Sequence, residues 1–168
     1  SCAEYGNRVR QLGEEDWRIH VCGAMSLDNI QSVPLMETHE LNDQYGIQFA
    51  PPPILVTIPP VTLELEHTDW QTDELLSALI AFGRPVVITR PIADTNNHTI
   101  IRKIREFVVS EPLNWYVENL GTSAYFSLMN NAAAMVGNSS SGMVESALFR
   151  LPVVNIGSRQ EGRLRTPN

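Results

Sequence analysis

Cysteine is nearly absent from this chain. Cys2 and Cys22 are the only two in 168 residues, and they form neither a metal-ligand motif nor a redox pair. They are expected as free thiols in a reducing compartment. The opening SCAEYGNRVRQLGEED has no apolar leader core, so a cytoplasmic location is expected. Long apolar runs are missing too: no stretch approaches the roughly 18 residues that span a bilayer, and no membrane partner is expected. Basic charge is scarce. Lys and Arg number 12 against 19 Asp and Glu, which gives a net charge of −7 and a pI near 5.0. Without a basic stripe, nucleic acid is not an expected partner. What is present, 43% hydrophobic and 18% charged residues, fits an ordinary globular protein of one domain or one domain plus a piece of another.

The acidic balance is uneven. Residues 1–80 carry 13 acids and 3 bases, whereas residues 81–168 carry 6 acids and 9 bases. A small anionic ligand would suit the second half, although scattered surface charge accounts for the same asymmetry. From residue 53 the pattern becomes regular. ILVTI, PVVITR, NWYVENL, AAAMV and LPVVNIG read as five apolar strands. Between them lie TDWQTDELLSALIAFG, with Gly83 at the C-cap, DTNNHTIIRKIREFVVS, which Asp94 or Thr95 could cap, SAYFSLMNN, and a helix starting over Met143–Phe149. Alternating strands and helices predict an α/β fold, a Rossmann-like parallel sheet with helices on both faces. Residues 1–50 do not join this rhythm. A helix tail (YGNRVRQL), one strand (WRIHVCGA), a hinge segment (SLDNIQSV) and a short helix (LMETHELNDQYG) cannot bury a core of their own. They are expected to close a preceding Rossmann-like domain, with residues 51–168 forming the regular one after the stiff APPP entry.

The segment Gly137-Asn138-Ser139-Ser140-Ser141-Gly142 sits between a predicted strand and a predicted helix, at the sheet end where such folds bind ligands. Helix-start N–H groups and three hydroxyls favour an anion. Gly137 and Gly142 leave room for a tight turn and a close ligand. Glu145, one turn on, could accept from both hydroxyls of a vicinal diol. The arrangement suits a nucleotide, with phosphates on the turn and ribose on the acid. Serine clusters also cap helices with nothing bound, and the turn is neither GxGxxG nor a Walker loop.

GNSSSGMVESALFRLPVVNIGSRQEGR closely resembles the C-terminal domain of UDP-N-acetylglucosamine 2-epimerases, in particular the hydrolysing branch that feeds sialic acid synthesis. YGNRVRQLGEEDWRIHV, SLDNI, PVTLE and ADTN extend the likeness over nearly the whole chain. The resemblance implies the C-terminal half of a GT-B fold, in which two Rossmann-like domains enclose an active site. It implies UDP or a UDP-N-acetylhexosamine as ligand, with Ser139 and Ser140 on the diphosphate, Glu145 on the ribose, Leu120 at the uracil and Arg159 at the UDP site, and with Ser141 and Gly142 also in the UDP-binding set. Arg163 fits the pattern either as a contact or as a structural residue. No metal or organic cofactor is implied, and the intact protein could be a homo-oligomer.

Three positions depart from the family pattern. Pro59 stands where the family has a phosphate-contacting His, Pro91-Ile92 stands where the family often has Pro and a polar Asn, and Glu118 replaces a positive charge before the uracil loop. Family catalysis eliminates UDP across C1–C2 with carboxylates of the N-terminal domain, so no catalytic residue is assigned here and the isolated chain is expected to be inactive. Two other readings stay open: a GT-B glycosyltransferase domain, and a degenerate, non-catalytic binding module.

Overall fold

A computed structural model describes residues 2–91, 97–165 and 168. The chain divides into two compact units, Ser1–Pro34 and Leu35–Asn168. The first holds helix α1 (Ala3–Gln11), a 3-10 turn at Asp16–Arg18 and helix α2 (Met25–Ser32), none of which contains a buried residue. The strand expected over residues 17–24 does not form. Its side chains are mostly exposed, and no described strand of this unit lies beside it to take its backbone hydrogen bonds. SLDNIQSV, expected as a hinge, lies mostly in α2.

The second unit opens with helix α3 (Thr38–Tyr45), started by a Glu37–Glu40 capping box and stopped by Gly46 at φ 73°. The sheet comprises β1 (Ile54–Thr57), β2 (Val86–Thr89), β3 (Asn114–Val117), β4 (Ala134–Gly137) and β5 (Val153–Asn155). All pairings are parallel and the order is β3-β2-β1-β4-β5. Helix α4 (Thr68–Phe82) joins β1 to β2, α5 (Asn97–Ser110) joins β2 to β3, and α6 (Gly121–Asn131) joins β3 to β4. The chain thus steps outward from β1 to β3 and returns to the other side of β1. The order reverses between β1 and β4, and parallel sheets open a ligand crevice at such a reversal.

Strand alternation sorts the core. Ile54, Val56, Val86 and Ile88 pack with Leu75, Leu76 and Leu79 of α4 and Ile100, Ile104 and Phe107 of α5. Leu55, Val87 and Met135 alternate with them and face the other way, toward the side of α3 and α6 with buried Leu41, Leu128 and Met129. Gly83 ends α4 at φ 67°, its N–H donating to the Leu79 carbonyl at 3.1 Å, as its place in the sequence predicts. The capping of α5 by Asp94 or Thr95 lies outside the described residues.

Two expectations are corrected. Residues 143–149 do not form an α-helix: 3-10 turns at Ser140–Gly142 and Ser146–Phe149 replace it. Ten residues separate Gly142 from Val153, where β5 begins, and the Ser146 hydroxyl donates to the Gly142 carbonyl at 2.9 Å, a local bond that competes with helix. LPVVNIG was expected to be a buried strand, but β5 is an edge strand and Val154 is 55% exposed. Beside it an apolar groove of about 590 Å³ runs between α4 and the β4–β5 strip, lined by Leu75, Ala78, Phe82, Val136 and Val154.

Candidate functional site

Strand β4 ends where Gly137 meets Thr57, the last residue of β1. Gly137 has φ 145°, and a Cβ there would lie 2.0 Å from the Thr57 carbonyl oxygen. Only glycine lets the two strand ends approach this closely. The next residue, Asn138, is 4% exposed and joins three segments. Its N–H donates to the Thr57 carbonyl at 3.2 Å, and its Nδ2 donates to the Pro59 carbonyl at 3.0 Å. Its own carbonyl accepts from Arg159 Nη1 at 3.1 Å and from the buried Gln160 Nε2 at 2.7 Å. The loops after β1 and after β5 are therefore both tied to the turn.

Ser139 caps the turn. Its Oγ accepts from the Ser141 N–H at 3.3 Å and lies 3.3 Å from the Ser141 hydroxyl. Among the described residues no acceptor faces the N–H groups of Ser139 and Ser140. Gly142 serves packing: a Cβ there would come within 3.0 Å of Val153 Cγ1, so its missing side chain faces β5. Glu145 follows one turn on, its N–H donating to the Ser141 carbonyl at 3.1 Å. Its carboxylate is half-buried, and Oε2 is buried without a hydrogen-bond partner.

Leu120 is at the N-cap of α6, and its carbonyl accepts from the Tyr45 hydroxyl at 3.1 Å. With Thr89, Arg90, Glu118, Thr122 and Tyr125 it lines a pocket of about 350 Å³ at the carboxyl ends of β2 and β3. Arg90 and Arg105 both pair with Glu118, at 3.3 and 2.8 Å. Tyr125 stands between this pocket and the turn. Burial raises its phenol pKa, the Ser141 and Thr57 hydroxyls oppose that shift, and the nearby Glu145 charge adds to it. Thr57 and Thr89 hydroxyls lie 3.0 Å apart across the two strand ends.

Buried side-chain oxygens without a hydrogen-bond partner gather here. Tyr125 Oη, Asn138 Oδ1, Glu145 Oε2, Asn155 Oδ1 and Gln160 Oε1 belong to the turn or to segments joined to it. Buried polar atoms are ordinarily satisfied, so this cluster offers acceptors to a hydrogen-bonding guest. Free N–H groups at Ser139 and Ser140 beside unpartnered acceptors match a ligand with both anionic oxygens and hydroxyl donors.

The structure thus brings Ser139, Ser140, Ser141, Gly142, Glu145 and Arg159 together around Asn138, with Leu120 in the adjoining pocket. Asn138, Gln160 and Tyr125 were missed in the sequence. Asn138 and Gln160 lie inside the quoted motifs, and only their contacts reveal their part. No motif marks Tyr125. A further clasp holds the loop after β5: the Ser158 hydroxyl and the Gln71 amide both donate to the Glu64 carboxylate, and these bonds, Ser158 first, lower its pKa. His67 is exposed beside Glu66. Among the described residues no group of three or more His, Cys, Asp or Glu could hold a metal ion, and no helix is long and apolar enough to cross a membrane.

Comparison with known proteins gives a consistent result. The family described as UDP-N-acetylglucosamine 2-epimerase matches residues 1–168. The chain is 34% identical over 166 residues to the GDP/UDP-N,N'-diacetylbacillosamine 2-epimerase (hydrolyzing) of Campylobacter jejuni, covering 98% of this chain and 43% of that protein. It is 31% identical over 161 residues to the UDP-N,N'-diacetylbacillosamine 2-epimerase (hydrolyzing) of Legionella pneumophila, covering 96% and 42%. It is 32% identical over 167 residues to the polysialic acid biosynthesis protein P7 of Escherichia coli, covering 98% and 42%. The chain therefore spans less than half the length of these curated relatives. Matched along its whole length, with the serine turn at the reversal point of a parallel sheet, the chain belongs to the UDP-N-acetylglucosamine 2-epimerase family.

Proposed function

We propose that this chain is the UDP-binding half of a cytoplasmic, GT-B-type nucleotide-sugar 2-epimerase. The diphosphate rests on Ser139–Gly142, with Arg159 at its side, the ribose diol donates to Glu145, and the uracil enters the pocket at Leu120. One observation carries this reading: a buried, unpartnered Glu145 oxygen follows a turn whose Ser139 and Ser140 N–H groups have no acceptor, at the reversal point of the sheet. An acceptor for hydroxyls beside donors for anions describes a nucleotide better than it describes a helix cap.

The intact protein, in this reading, removes UDP from a UDP-2-acetamido sugar and returns water, giving the 2-epimeric free sugar. The carboxylates for that step are not assigned to this chain. A second reading, a module that has lost the reaction, draws on Pro59, which keeps the backbone carbonyl that Asn138 uses but has no imidazole to offer a phosphate. Titration calorimetry on the 168-residue chain with UDP, UMP and uridine tests the site. The expected order is UDP tightest and uridine weakest, with Ser140→Ala weakening UDP more than uridine and Glu145→Gln weakening both. If UDP and uridine bind equally, or both variants match the parent, the turn is a cap and the UDP reading falls.

A further inference from the structure

The Tyr125 hydroxyl is buried and makes no aligned hydrogen bond, although the Ser141 and Thr57 hydroxyls lie close enough to influence it. Its ring forms part of the pocket wall beside Leu120, Gly121 and Thr122. The residue therefore reaches from the pocket at the ends of β2 and β3 to the serine turn after β4. A phenylalanine would fill the same space without burying an unsatisfied hydroxyl, so packing alone gives no reason for the oxygen. Burial and the Glu145 charge both keep the phenol protonated at neutral pH, which leaves it an O–H donor. Glu145, by contrast, offers only acceptors.

Building on the nucleotide reading of this site, we propose that Tyr125 is a further nucleotide-binding residue, donating its phenol O–H to a phosphate oxygen at the ribose–phosphate junction. The two side chains divide the ligand chemically. Glu145 accepts the hydrogen bonds that the ribose hydroxyls donate, and Tyr125 donates one to an oxygen that carries no proton. This contact lies between base and second phosphate, so it is shared by UDP and UMP.

The test uses Tyr125→Phe in the 168-residue chain, with thermal melting and titration calorimetry against UDP, UMP and uridine. Without ligand the variant is expected to melt no lower than the parent. Its affinity for UDP and UMP is expected to fall alike, by about tenfold, the scale of a lost hydrogen bond to a charged oxygen, while uridine changes by less than about threefold. Affinities equal to the parent's overturn the assignment. So does an equal loss for uridine, which would place the contact on the nucleoside, and so does a lower melting point without ligand, which would give the hydroxyl a purely structural part. A parent chain that binds none of the three overturns both the site and the residue, whereas a parent that binds UDP beside an unchanged variant removes Tyr125 alone.

Discussion

On the β1–β2–β3 side of the sheet, apolar side chains of α4 and α5 close over Val56, Val86 and Ile88, and Lys103 of α5 pairs with Asp69 and Asp73 of α4 at 2.6 Å each. Those two carboxylates, Asp69 first, raise the Lys103 pKa. On the β4–β5 side the helix is replaced by 3-10 turns, the edge strand is half-bare, and buried oxygens lack partners. The first side is closed mainly by core contacts and ion pairs, with Thr68 Oγ1 and Tyr116 Oη buried there without partners, whereas most of the unpartnered buried oxygens of the described residues gather around the serine turn. Stability and the proposed binding are therefore expected to depend on different residues, which substitutions should separate.

The largest effect is expected where the two sides touch. Gly137→Ala forces a Cβ onto the Thr57 carbonyl at a left-handed φ. It should cost on the order of 4 kcal/mol or more and abolish UDP binding with the fold, measured as the urea midpoint and by calorimetry. An unchanged midpoint would show that the strand ends can part freely. Ile104→Ala, in the fully buried core of α5, should cost about 3 kcal/mol in the same urea experiment. Under conditions where the variant stays folded, its UDP affinity should match the parent within about twofold. A large affinity loss would show that the two sides are coupled.

Glu118→Gln sharpens the comparison in the opposite direction. Glu118 pairs with Arg90, which lines the Leu120 pocket, and all three groups of its network are about half exposed. Removing its charge should leave stability within about 0.5 kcal/mol and tighten UDP roughly two- to fivefold, since an anion gains the freed guanidinium. Calorimetry showing weaker binding would count against any role for Arg90. The smallest effect is a pH dependence. Hydrogen bonds from Ser158 and Gln71 hold the Glu64 pKa below its ordinary 4.5, so this clasp stabilises the fold above that value and is lost as pH falls through the folded-state pKa. Glu64→Gln should melt slightly lower than the parent at pH 7, and the gap should close as the pH drops below about 4.5. A gap that persists in acid would refute the clasp.

Much of the β1–β2–β3 side was legible in the sequence, because its signals are local. ILVTI and PVVITR are β-branched runs, and Gly83 sits where the helix periodicity ends. The serine turn was also legible as a turn at a strand end. Its neighbours were not, because nothing local in AAAMV says that β4 returns to lie beside β1. That pairing is what sets Thr57 against Gly137 and Pro59 against Asn138. The helix read over residues 143–149 failed because apolar spacing does not register how short the path to β5 is, or that Ser146 bonds back to Gly142. The strand read over residues 17–24 failed because a strand needs a partner that sequence alone does not supply.

Asn138 carries a consequence for how binding would be felt through the backbone. One buried amide residue fastens the loop after β1, the serine turn and the loop after β5 by bonds to Thr57, Pro59, Arg159 and Gln160. These three stretches cannot open independently, since releasing any one exposes the polar groups of the others. A guest seated on the serines is therefore expected to slow amide exchange in the loop after β1, which it does not touch, and the footprint of a small molecule would extend across three crossings of the chain.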